Sequence, residues 1–333
     1  MSMWFVPRDA AARSMGADAV ANALEARGET VIRNGSRGML WMEPLVERAD
    51  ERHGPRVGWS NMTAGQIDAG LPNEQSDNFI GAVEEVDYLA KQNRWIYERV
   101  GITDPVDPED YVAHGGLTGL KNALAMSGSD VVQAVTDSGL RGRGGAGFPA
   151  GIKWRTVADQ PPASHAGESR NAPAHKYICV NADEGDSGTF ADRMLMEGDP
   201  FCLLEGMTIA AHAVGADRGL VYLRSEYPDA IATLQSAIWI AREQGWLGDN
   251  ILDSDLCFDV EIRIGAGSYV CGEETAMLES LEGRRGMVRA KPPLPAIVGL
   301  FGRPTVVNNV LSFAAVPYIM DQGGQAYADY GMG

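Results

Sequence analysis

An α/β fold, built on a mainly parallel sheet covered by helices and preceded by a small separate domain, is what this sequence of 333 residues predicts. Three observations carry that expectation. From Lys176 onward, short apolar strands alternate with amphipathic helices, the pattern of strands joined by helical crossovers. Glycine-rich turns follow the strand ends, where such sheets gather their ligands. The first 42 residues read strand, helix, strand on their own, before the glycine-rich part begins.

Element by element, Met3-Trp4-Phe5-Val6-Pro7 reads as a strand, residues 9–27 carry Ala, Met and Leu at helical spacing, and Thr30–Arg33 reads as a second strand. The turn Asn34-Gly35-Ser36-Arg37-Gly38 and the apolar Met39–Met42 follow. This βαβ opening predicts a thioredoxin-like domain over residues 1–70, with no redox or cluster cysteines, and so a docking or scaffold role. Residues 71–115, rich in Asp, Asn and Pro with one helical patch at Val86–Tyr97, read as a surface linker. Helical spacing returns from Leu117 to Leu140. Lys176–Val180, Leu220–Arg224 and Phe258–Ile264 then read as strands, with Phe201–Ala216 and Pro228–Gln244 as helices between them.

Composition narrows the function. A formal charge of −17 repels phosphate backbones, so nucleic acid is not an expected partner. No apolar run of about 18 residues suggests a membrane span, and the N-terminus lacks the pattern of a secretory signal. The 4 cysteines are widely spaced without a CxxC, which fits reduced thiols in a cytoplasmic protein and no metal site in this chain.

Four clusters carry chemistry. Residues 139–151, GLRGRGGAGFPAG, formally hold GxGxxG at Gly142, Gly144 and Gly147, but a helical segment precedes them and Phe148-Pro149 follows, unlike a Rossmann site. A loop of bare backbone N–H groups that holds a phosphate or approaches an aromatic ring is the better reading, with Arg143 and Lys153 adding positive charge. Asn181–Asp186 places three carboxylates at a strand end; the plain alternative is a solvated acidic turn. Gly265–Thr275 runs from strand to helix, and Glu273 and Glu274 suit the helix dipole. Cys271 there reads as packing. Arg289–Pro295 is a rigid loop, and Asn308-Asn309 sit at an expected helix start, where an Asn pair can be only a cap.

In this order, GLRGRGGAGFPAGIKW, NADEGDSGTFADR, GAGSYVCGEETAMLESLEGRRG, AKPPLPA and PTVVNNV resemble the family of the flavin- and NADH-binding subunit of respiratory complex I, which includes diaphorase subunits of NAD-reducing hydrogenases and formate dehydrogenases. The resemblance covers roughly residues 110–320. The N-terminal run from Phe5 to Glu47 and the EGDSGTF variant look most like the β subunit of soluble NAD-dependent formate dehydrogenase. The resemblance implies the FMN-binding fold of that subunit over residues 116–300, and the start of a ubiquitin-like region over 301–333, cut before the iron–sulfur domain. It implies an FMN-dependent NADH dehydrogenase that exchanges a hydride between NAD(H) and FMN, with electrons passing to or from iron–sulfur clusters of a larger complex.

By motif position, Gly142, Arg143, Gly144, Gly145, Lys153, Asn181, Asp183, Glu184, Gly272, Glu273, Asn308, Asn309 and Ser312 would hold FMN. Phe148, Glu184, Asp186, Tyr269, Glu274 and Lys291 would hold NADH, with Glu184 and Glu274 near the nicotinamide and no catalytic side chain. Asp186 is shorter than the Glu of many complex I homologues, and Leu294 replaces a residue aromatic in some. Glu184 and Asp186 would accept from ribose hydroxyls and repel the extra phosphate of NADPH, so NADH is the expected nucleotide. Implied partners are a [2Fe–2S] thioredoxin-like small subunit and a large iron–sulfur, molybdenum or tungsten subunit, with a [4Fe–4S] cluster only in the C-terminal part absent here. The same subunit of complex I or of an NAD-reducing hydrogenase, and a flavin-free docking subunit, are the competing readings.

Overall fold

A computed structural model describes residues 2–162 and 175–330. The chain divides into two compact units, one formed by Met1–His114 with Met194–Asp199 and the other by Gly115–Arg193 with Pro200–Gly333. No helix among the described residues is long and apolar enough to cross a membrane.

The first unit is a five-stranded sheet in the order β2-β1-β3-β4-β5, formed by Met3–Phe5 (β1), Thr30–Ile32 (β2), Val46–Ala49 (β3), Val57–Trp59 (β4) and Phe79–Ala82 (β5). β1 and β2 run parallel, joined through the helix Ala17–Ala26, and the remaining pairs are antiparallel. Val20 and Leu24 of that helix are buried with Trp4, Trp59 and Ile67. The Trp4 and Trp59 rings lie 5.5 Å apart, within the range in which aromatic pairs add to simple burial. Arg37 forks onto the fully buried Glu47 at 2.9 and 2.8 Å, and Arg56 joins it at 3.2 Å.

The expected linker is corrected by β5, which pairs with β4 within residues 71–115. Its apolar signal is short and broken by Gly81 at φ 79°, yet Phe79 packs on Trp59 at 5.4 Å and Val83 is wholly buried. The helical patch expected over Val86–Tyr97 is reduced to Asp87–Ala90, and a further helix spans Pro108–Ala113.

The second unit is a wholly parallel four-stranded sheet in the order β8-β7-β6-β9, formed by Tyr177–Ala182 (β6), Arg218–Leu223 (β7), Asp259–Ile264 (β8) and Thr305–Asn309 (β9). The first three coincide with the apolar runs read from the sequence. The fourth does not: Thr305–Asn309 pairs with Tyr177–Asn181 before the helix Val310–Ala314 begins. The helix Pro200–Val214 is buried on nearly every face. Gly206 permits its approach to Val310–Ala314, because a Cβ there would stand 2.1 Å from the Phe313 carbonyl oxygen. Glu205, buried in the same helix, accepts from the Leu117 and Leu120 N–H groups at 2.8 and 2.9 Å. It thereby satisfies the open end of Thr118–Leu124.

Candidate functional site

Parallel pairing brings the C-terminal ends of β6 and β9 side by side, with Asn181 opposite Asn309 and Val180 opposite Asn308. Polar residues at these ends have no strand partner beyond them, so the loops that follow must satisfy them. Asn181 donates from Nδ2 to the Gly272 carbonyl at 2.7 Å, tying the β6 end to the loop after β8. Its Oδ1 accepts from the Asp183 N–H at 3.2 Å and shapes the acidic turn.

Glu184 is held from several sides. Its carboxylate accepts from the Asp192 and Arg193 N–H groups at 3.0 and 3.3 Å and from the Tyr227 hydroxyl at 3.1 Å, while Arg224 donates to its backbone carbonyl. Burial, reinforced by the nearby Glu184 charge, pushes the Asp192 carboxyl up to about 8, against the hydrogen bond from Asn309. Burial also raises Asp183 above its ordinary range, with Arg224 opposing.

The glycine loop joins the helices Gly128–Asp137 and Ala150–Ala158, so no strand leads into it and the Rossmann alternative has no structural basis. The Gly142 N–H donates to the Phe148 carbonyl at 2.9 Å, closing the loop's base. Above that base, the Arg143 N–H donates to Ser312 Oγ at 2.8 Å. Gly144 sits so near Asn309 that a Cβ would lie 3.0 Å from the Asn309 Cβ. The Arg143 guanidinium is turned to the Tyr327 hydroxyl at 2.8 Å, and Lys153 to Glu274 at 3.2 Å and the Val307 carbonyl at 2.6 Å. Their charges are therefore anchored within the protein.

A second anchored cluster forms at the start of the helix Glu274–Leu281. Glu273 caps it by accepting from the Thr275 and Ala276 N–H groups at 2.8 and 2.9 Å. Lys291 bridges Glu273 and Glu274 at 2.9 and 2.8 Å. Burial opposes ionisation of both acids, yet Thr275 and Lys291 at Glu273, and Lys153 and Lys291 at Glu274, hold them below the usual carboxylate range. Lys291 is raised in turn by the pair, in spite of its own partial burial.

The structure thus brings together the residues expected to hold a flavin: Arg143, Gly144, Asn309 and Ser312 on one side, Asn181, Gly272 and Glu273 on the other. Of those expected to hold a nucleotide, Tyr269 donates to Asp186 at 2.6 Å, and Glu274 meets Lys291. Phe148 stands half exposed. Cys271 is buried, as packing requires. Sequence reading passed over Asp192, Arg224, Tyr227 and Tyr327. The one available signal was that Arg224 directly follows β7, the strand next to β6, on the same edge as Asn181. A separate pocket, lined by Tyr177, Arg218, Leu220, Glu261 and Phe301, lies at the opposite edge, where these strands begin.

Buried polar atoms at the loop cluster without a hydrogen-bond partner include the Asn308 Nδ2 donor and the Asp183 Oδ2 acceptor. Buried polar groups are seldom left so, and a ligand with both donors and acceptors answers both.

Residues 135–318 match the family model described as the Nuo51 FMN-binding domain. The chain is 47% identical over 241 residues to the NADP-reducing hydrogenase subunit HndC of Solidesulfovibrio fructosivorans, covering 72% of this chain and 47% of that one. It is 50% identical over 222 residues to an NADH-quinone oxidoreductase subunit of Rhizobium meliloti (strain 1021), covering 66% of this chain and 50% of that one. A crystal structure of an NAD+-reducing [NiFe]-hydrogenase in the H2-reduced state aligns with TM-score 0.55 at 30% identity, over 98% of this chain and 53% of that one. The chain spans about half the length of the curated relatives it matches.

Proposed function

The chain belongs to the Nuo51 FMN-binding domain family, and from that premise we propose that it is the diaphorase module of a larger electron-transfer complex. It exchanges a hydride between NAD(H) and FMN and passes electrons to or from iron–sulfur clusters of its partners. The observation that carries this reading is the cradle with unpartnered buried atoms that include Asn308 Nδ2 and Asp183 Oδ2, beside a glycine loop packed on Asn309.

The residues present fit FMN. Gly142, Arg143, Gly144 and Gly145 would meet it through bare backbone. Lys153, Asn181, Asp183, Glu184, Gly272, Glu273, Asn308, Asn309 and Ser312 would complete the cradle. Bound there, FMN supplies a ring that accepts or returns a hydride. The chain's own task is alignment and shielding, because hydride transfer between two stacked rings asks for no side-chain acid or base on carbon. Glu184 performs that task as a rigid carboxylate fixed by two backbone N–H groups and Tyr227. Glu273 and Glu274 keep fixed charges because Lys291 and Lys153 neutralise them.

Phe148, Glu184, Asp186, Tyr269, Glu274 and Lys291 form the proposed nucleotide side, with NADH preferred. The complex we favour is an NAD-dependent formate dehydrogenase, on the N-terminal run and the EGDSGTF variant, with the small [2Fe–2S] and large molybdenum or tungsten subunits as partners in the cytoplasm. The first unit, with its β1-helix-β2 opening followed by antiparallel β3 and β4, is proposed as a thioredoxin-like docking domain. The names of the relatives favour a second reading, the equivalent subunit of complex I or of an NAD-reducing hydrogenase. Purification with whatever co-elutes tests both levels. Flavin absorbance and NADH-dependent dye reduction support the diaphorase; their absence leaves a docking subunit without flavin. Formate-linked NAD reduction by the co-eluting complex supports the finer assignment, and hydrogen- or quinone-linked activity overturns it.

A further inference from the structure

The first unit holds a cluster that the flavin chemistry does not use. His53 lies on the turn between β3 and β4, and Asp110 and His114 belong to the helix Pro108–Ala113 and its C-terminal cap. The Asp107 side chain caps this helix and Pro108 opens it, which fixes its start. Asp110 and His114, four residues apart, therefore share one face. One donor atom from each of His53, Asp110 and His114 lies within 4.8 Å of the other two.

The detail within this cluster points to a ligand. Asp110 is buried, and its two oxygens are treated differently. Oδ2 accepts from the Asp104 N–H at 2.9 Å and faces Arg52 at 3.3 Å. Oδ1 is buried and accepts no hydrogen bond, although it lies 3.3 Å from His114 Nδ1 and 3.7 Å from His53 Nδ1. The His114 ring is steadied by the Asp110 backbone carbonyl, 2.9 Å from Nδ1. The same Nδ1 faces Asp110 Oδ1, so a metal bound there would take the place of the carbonyl contact. The two rings meet edge to face, their centroids 4.7 Å apart.

Bond lengths to zinc of about 2.0–2.2 Å set tetrahedral ligand–ligand edges of about 3.3–3.6 Å. The observed separations bracket that value, and the largest closes by roughly an ångström of movement of His53, which is half exposed on a turn. Two imidazoles and one carboxylate suit a borderline divalent cation such as zinc, whereas magnesium and calcium seek oxygen donors. Arg52 lowers the attraction of Asp110 for a cation, but Arg52 is also paired with Asp107, which offsets its charge. The open side at His53 leaves a fourth position for water.

We infer that His53, Asp110 and His114 form a zinc-class divalent metal site, which ties the β3–β4 turn to the helix Pro108–Ala113. It is independent of the flavin reading.

Calorimetric titration of the EDTA-stripped, desalted chain with zinc chloride tests it, beside thermal melts with and without the metal. The expected result is one zinc per chain with Kd near or below about 10 µM and a raised Tm. His53→Ala and His114→Ala should each weaken binding at least about tenfold, and Cys257→Ser should leave it intact. His53 is exposed enough for its variant to fold, and its melt without metal checks that. Zinc binding unchanged in both histidine variants, binding lost in Cys257→Ser, or no binding at all overturns the inference and leaves a metal-free His–Asp–His contact.

Discussion

Asn309 donates from Nδ2 to Asp192 Oδ2 at 2.6 Å, so the residue that ends β9 holds the acid that begins the helix Ala191–Gly198. Asp192 also donates its N–H to Glu184, which places a nearly neutral buried acid between an amide and a carboxylate.

That relationship sets a pH dependence. The folded Asp192 carboxyl is raised from its ordinary 3.8 to about 8, so the folded state holds a proton that the unfolded chain releases. The stability it contributes is fully present below about pH 4 and is lost as pH rises toward 8, with a slope of up to about 1.4 kcal/mol per pH unit. Denaturant titrations across this window should show that slope flattened in Asp192→Asn. An identical slope in both proteins would refute the assignment.

Gly144→Ala inserts a methyl group 3.0 Å from the Asn309 Cβ, on the face where the loop meets that asparagine. Flavin retention should fall about tenfold, equal to roughly 1.4 kcal/mol, with little change in Tm. The ratio of flavin to protein absorbance after gel filtration measures it. Undiminished retention would remove the loop from the cradle.

Asp186 is fixed by the Tyr269 hydroxyl. If its charge excludes the extra phosphate of NADPH, Asp186→Asn should raise the NADPH/NADH ratio of kcat/KM by about tenfold, since removing a repulsive element relaxes discrimination. Steady-state kinetics with both nucleotides decides it, and an unchanged ratio speaks against this acid as the discriminator.

In the first unit, Glu47→Ala strands Arg37 and Arg56, both buried, without their shared acid. Breaking a buried pair from one side costs about 3–5 kcal/mol. Urea denaturation should register a loss of that size. A loss under about 1 kcal/mol, typical of surface pairs, would mean that the network is solvated.

Where one force dominated, the sequence was readable. β6, β7 and β8 are apolar runs bounded by polar turns, and burial on both faces of a parallel sheet demands that composition. The cap role of Asn309 was readable too, because an amide before a helix has few other uses. That Asn309 also ends a strand was not, since Pro304 and the paired amides look like loop. β5 was hidden because Gly81 interrupts it and its partner residue Trp59 is distant in sequence. Asp192 and Tyr227 were invisible for the same reason: what makes them notable is their approach to Glu184, and spacing along a chain does not encode approach across a sheet edge.

The strand order has a consequence for biosynthesis. β6 is an inner strand, yet one of its two neighbours, β9, leaves the ribosome only after β7, β8 and their helices. Until Thr305–Asn309 has emerged, the nascent chain carries a bare hydrogen-bonding edge along Tyr177–Asn181, the kind of edge that recruits foreign strands. Asn308 and Asn309 of the proposed cradle arrive with that same strand, so the emerging polypeptide cannot assemble its cofactor cleft before its sheet is sealed.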